Sequence, residues 1–193
     1  MNINEILYID DSSLISKDFI LQNHKNAKKF GITNGKYNCY KNILKINDDD
    51  IFMYYLIDTI TMEIAMVTTM KPKKINNKHM LQVDLINGFE TRTEKRMAMR
   101  LYQIVRQAEN IPIISGEYQT DDGKKLWKNL DASFTVSVIN KNTGDEVSTD
   151  INDAYLNWGQ NNRTTKVSDT NILMLETIEN NVGWKLPGFA VFD

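Results

Sequence analysis

The sequence predicts an α+β domain: one mixed, mostly antiparallel sheet flanked by helices. Three observations carry this. The run "IFMYYLIDTITMEIAMVTTM" is rich in β-branched and aromatic residues and is broken by a polar turn near Asp58 to Thr61, which predicts an antiparallel hairpin. "ETRTEKRMAMRLYQIVRQAEN" repeats apolar residues at the spacing of one helix face. That helix lies between two strand-like stretches, "HMLQVDLI" and "IPIIS", so a parallel strand–helix–strand step joins an otherwise antiparallel order.

At 193 residues the chain predicts one domain spanning 1–193, with an irregular insert at about 148–168 and a separate tail at about 180–193. Hydrophobic residues make up 41% and charged residues 25%, the balance of a soluble globular protein. No apolar run is long enough to span a membrane, and "MNINEILYIDDSS" lacks the basic start and apolar core of a secretory signal. The expected location is inside a cell.

A single cysteine, Cys39, excludes an internal disulfide, and only His24 and His79 supply imidazole, so no metal site is expected. Cys39 reads as an ordinary buried thiol. The formal net charge of −2 argues against broad binding of nucleic acid. Lys71, Lys73, Lys74 and Lys78 form a basic cluster, read as a solvated connection between two strands. Asn162-Arg163-Thr164 matches a glycosylation acceptor, without meaning in the absence of a secretory route.

The elements follow in order. Leu14 to Phe30 predicts a first helix with a basic tail, ended by Gly31 as a left-handed cap. Thr33-Asn34-Gly35 predicts a turn into the strand "KYNCYKNILKI", and Asp48 to Asp50 break the chain before the hairpin. In "HMLQVDLI", alternation sets Leu81, Val83 and Leu85 on one side and Gln82 and Asp84 on the other. The long helix turns Met97, Leu101, Ile104, Val105 and Ala108 inward, leaving Arg92, Lys95, Arg96, Arg100 and Arg106 largely outside that face. Thr91 and Glu94 form a candidate capping box.

Pro112 ends the helix, and "IPIIS" becomes a short buried strand. Thr120 caps a second helix with Asp121 and Asp122 in its first turn, where negative charge suits the dipole. "SFTVSVINKNTGDEV" reads as strand, turn and strand, and "NILMLETI" as a last strand. Tyr155 and Trp158 are the large anchors of the polar stretch between them.

The stretches "MAMRLYQIV", with Ala98, Leu101 and Val105 at packing positions, and "IPIISGEYQTDDGKKLWKNLDASF" resemble the GNAT family of N-acetyltransferases. Within the second stretch "KKLWKNLDASF" looks like the family ending "..LYEKLGF", and the form S…(T/S)..G..LW..L makes the similarity closer to the divergent GNAT-like proteins of bacteriophage genomes. The resemblance implies a GNAT-like fold and direct transfer of an acyl group from acetyl-CoA to an amine. The thioester would lie where the strands "HMLQVDLI" and "IPIIS" part, and the diphosphate on amides opening the long helix. Such amides are a sound anion site.

Two departures stand against that implication. The family pattern (Q/R)xxGx(G/A) is replaced by "RTEKRMA", which sets Glu94, Lys95 or Arg96 where a glycine admits phosphate. Trp127 stands in place of the tyrosine that protonates the leaving thiolate, a task an indole N–H cannot perform. If the chemistry survives, Arg92, Thr93, Lys95, Arg96 and Met97 are the cofactor-binding candidates and Glu63 and Asp84 the candidate bases. Tyr118 or Tyr102 would be the acid.

The functional expectation is therefore a degenerate acyltransferase scaffold that acts by binding a host or virion protein, located in the host cytoplasm or the virion. The alternative is an active acetyl-CoA-dependent N-acetyltransferase. Third comes a nucleic-acid binder using the Arg-rich helix and the lysine cluster. The apolar tail after Trp184 offers a surface to a second copy of the chain.

Overall fold

The computed structural model describes residues 15–33, 35–46, 48–89, 97–155, 164–166 and 168–176. The first helix, α1 (Lys17–Asn23), is capped by the Ser16 hydroxyl, which accepts from the Phe19 N–H, and it gives way to a 3-10 turn at His24–Asn26. The expected longer helix ending at Gly31 is corrected. Lys28–Thr33 form strand β1, which pairs antiparallel with β2 (Tyr37–Ile46). Pairing to β2 outweighs local helical preference there. Gly31 lies at a register step between Lys29 and Gly31, and the left-handed glycine is Gly35, at φ +72° in the β1–β2 turn.

Strands β3 (Asp49–Asp58) and β4 (Ile64–Ile75) form the expected antiparallel hairpin, and β5 (Lys78–Gly88) extends it. Alternation along β3 divides the core. Met53, Tyr55 and Ile57 face one side, where Ile20 of α1 packs with Val67. Tyr54 and Leu56 face the other, with Met66, Met70 and the long helix α2 (Met97–Glu109).

The lysine cluster is also corrected. Lys71, Lys73 and Lys74 lie within β4 and Lys78 opens β5; the connection is a two-residue turn at Asn76 and Asn77, both with positive φ. Pairing of β3 with β4 ends at Phe52 and Met70, so Pro72 sits where β4 has β5 on one side only. A proline is tolerated on such an edge.

After α2 come β6 (Ile113–Ile114), β7 (Tyr118–Thr120), α3 (Asp121–Asp131), β8 (Val136–Asn140) and β9 (Glu146–Ser148). A 3-10 turn at Ile151–Ala154, β10 (Thr164–Lys166) and β11 (Asn171–Leu175) follow. Among the described residues the main sheet has nine strands in the order β1-β2-β3-β4-β5-β6-β11-β8-β9, and β7 pairs with β10 in a separate ribbon. The fold is α+β with a mixed, mostly antiparallel sheet.

Two expectations change in detail. The stretch read as an irregular insert contains β10 and the 3-10 turn, with Tyr155 buried; Trp158 and the tail at 180–193 lie outside the described residues. Helix α2 is buried over more than one stripe: Met99, Tyr102 and Arg106 are buried, whereas Ala108 is exposed. Arg106 is covered because the Phe134 ring, in the connection after α3, lies 5.4 Å from its guanidinium.

Candidate functional site

The parallel step occurs between β5 and β6, and it is short. Leu81 pairs with Ile113 and Gln82 with Ile114, and the ladder then stops while β5 continues to Gly88. The strands part because β6 turns toward β11: the Ser115 N–H donates to the Leu173 carbonyl at 2.9 Å and the Leu173 N–H donates to Ser115 Oγ at 3.3 Å. Only a side chain still bridges the gap, with Gln82 Nε2 donating to the Ser115 carbonyl at 3.4 Å. Beyond that bridge, residues 83–88 pair only with β4 among the described residues.

Asp84 lies at the point of divergence. Pairing of β5 with β4 steps from Val83↔Met70 to Leu85↔Thr69, so Asp84 is the extra residue of a β-bulge. The bulge reverses the expected alternation. Val83 joins the core under α2, and Leu85 packs on the α1 side. The Asp84 carboxylate is held by Lys71 Nζ at 3.0 Å, both groups being about one-third exposed.

The other candidates are dispersed. Glu63 is exposed in the β3–β4 turn rather than in a strand, its carbonyl accepting from the Asp58 N–H. Counting the β4 register back from the Asp84 bulge puts the two residues roughly 20 Å apart along the backbone at strand rise. Tyr118 begins β7, paired with Lys166 through the backbone. Arg92, Thr93, Lys95 and Arg96 lie outside the described residues, as do Thr91 and Glu94 of the candidate capping box; Met97 opens α2 with its side chain buried in the core.

Tyr102 and Trp127 are both buried, and burial pushes the Tyr102 phenol above the ordinary range. The thiol of Cys39 is raised by burial as well. Thr120 caps α3 as expected, its hydroxyl accepting from the Gly123 N–H at 3.1 Å. Asp121 and Asp122 stand in the first turn beside Lys124 and Lys125.

Sequence reading missed Ser115 and Gln82 at the divergence, and Gln119 on β7. Ser115 and Gln119 are buried and Gln82 is half-buried. Gln119 Oε1 accepts from the Tyr155 hydroxyl at 2.8 Å, which leaves Nε2 a buried donor without a partner. Only the position of Ser115 at the end of "IPIIS", directly before a glycine, signalled a change of direction.

Among the described residues no group of three or more His, Cys, Asp or Glu side chains is placed to hold a metal ion. None of the described helices is long and apolar enough to cross a membrane. No protein-family model matches the chain, and no curated protein matches it significantly.

Proposed function

We propose that this chain is a GNAT-like scaffold of the bacteriophage type that works by binding a host or virion protein, without acyl transfer. The observation that carries this reading is Trp127. At the position where the family resemblance calls for a proton-donating tyrosine, the chain has an indole that is 2% exposed and packed against Tyr102. A side chain so placed serves the core. Its indole N–H is far too weak an acid to protonate a thiolate.

The candidate bases support the same reading. Glu63 stands on an exposed turn remote from the β5–β6 divergence, and Asp84 is engaged by Lys71. A general base must reach the proton it removes and be free to accept it, which neither an exposed turn residue remote from the divergence nor an ion-paired carboxylate offers. What the divergence retains is a strand edge: the β5 backbone at residues 83–88, which among the described residues pairs with β4 alone. An exposed strand edge recognises extended peptide by adding it to the sheet.

One observation favours the alternative, an active N-acetyltransferase. The parting of two parallel strands is the geometry the resemblance assigns to the acetyl-CoA thioester. A labelled acetyl-CoA assay over a panel of amines separates the readings. The binding scaffold gives no transfer above the uncatalysed background; turnover that depends on Asp84 or Tyr118 overturns it. In either case the protein acts in the host cytoplasm or the virion.

A further inference from the structure

Lys41 lies on β2 with its head group among three rings. Its Nζ is 4.2 Å from the centre of the Phe52 ring, 5.6 Å from that of Tyr54 and 5.9 Å from that of Phe30. The fourth wall is Glu109, whose Oε1 accepts from Lys41 Nζ at 2.6 Å and from the Tyr54 hydroxyl at 2.8 Å. Ring faces carry negative potential, so three rings and a carboxylate are the composition of a site for an organic ammonium ion.

The four walls come from three elements. Phe52 and Tyr54 face the same side of β3, and Lys41 is the direct cross-strand partner of Tyr54. Phe30 lies at the β1 register step, where a bulge re-aims a side chain. Glu109 is the last residue of α2, where a negative charge opposes the helix dipole and is disfavoured unless a cation meets it. Side-chain exposure of 19% for Lys41 and 15% for Glu109 leaves the box open to solvent on one side.

We propose that Phe30, Phe52, Tyr54 and Glu109 form a binding site for a small alkylammonium ion, whose built-in occupant is the head group of Lys41. With the head group removed, the box accepts a free alkylammonium in its place. In the intact chain the tethered lysine excludes such ions through its high effective concentration. This inference is independent of any acyl-transfer reading.

The test is chemical rescue of Lys41→Ala by n-propylammonium chloride, which replaces the deleted atoms, read as melting temperature. The variant is expected to melt roughly 5 °C below the unmodified chain. Added n-propylammonium should restore much of that loss, whereas n-butanol and sodium chloride at equal concentration should not, and Lys41→Ala combined with Glu109→Gln should not respond. Equal rescue by n-butanol, or none by the ammonium, overturns the proposal. Should the variant fail to fold, proton NMR of the unmodified chain decides. Upfield-shifted Lys41 ε-methylene signals that relax in Phe52→Leu are expected; signals at ordinary positions overturn the site.

Discussion

Tyr102 of α2 and Trp127 of α3 meet edge to face, with ring centres 6.2 Å apart and planes at 63°. This contact joins the two helices. Trp127→Ala is expected to cost roughly 3–5 kcal/mol, because it deletes a large buried ring and leaves a cavity. Denaturant unfolding measures it. Trp127→Tyr should not introduce acetyl transfer, since the new hydroxyl would lie in the same closed packing.

The β3–β4 turn is held by one carboxylate. Asp58 Oδ1 accepts from the N–H groups of Ile60 at 2.8 Å and Thr61 at 3.0 Å. Hydrogen bonds from Thr61 and Ile60 hold its carboxyl below the ordinary range. Asp58→Ala is expected to lose roughly 1–2 kcal/mol at neutral pH. A depressed folded value means the stabilisation is full above the unfolded value of about 3.9 and fades as pH falls through the folded value. The gap between Asp58→Ala and the unmodified chain should therefore narrow only below about pH 4. A gap unchanged in acid would contradict this account of the turn.

Gly144 tests the contact between two hairpins. Its φ is +73°, and a Cβ there would lie 3.2 Å from Ile75 Cγ2 at the end of β4. Gly144→Ala is expected to destabilise by roughly 1–2 kcal/mol from backbone strain alone. Pairing Gly144→Ala with Ile75→Ala, which removes Cγ2, in a double-mutant cycle should show coupling, as the smaller neighbour relieves the steric part.

Asp84 separates an architectural role from a catalytic one. Its ion pair with Lys71 is more than one-third exposed, so Asp84→Asn should change stability by no more than about 1 kcal/mol. Under the binding reading it should also leave any background acetyl transfer unchanged. A large selective loss of transfer would mark Asp84 as a working base.

Much of the architecture was legible because it depends on local chemistry. The Thr120 cap, the break at Pro112 and the hairpin over Asp58 each rest on residues adjacent in the chain, and the parallel step from β5 to β6 follows from the strand–helix–strand order. What escaped depended on distant partners. Lys28–Thr33 became strand because β2 lies alongside, and Arg106 was buried because Phe134 folds over it. The Asp84 bulge defeated simple alternation, since one unpaired residue inverts the faces that follow. The placement of β11 between β6 and β8 leaves no periodic trace in the sequence, yet it draws Ser115 away from β5.

Isothermal titration of acetyl-CoA into the full chain measures most directly whether this scaffold still holds the coenzyme. The binding reading predicts heats of dilution only, up to about 1 mM ligand. A saturable isotherm with one site and a dissociation constant on the order of micromolar would contradict it and return the protein to the class of working acyltransferases.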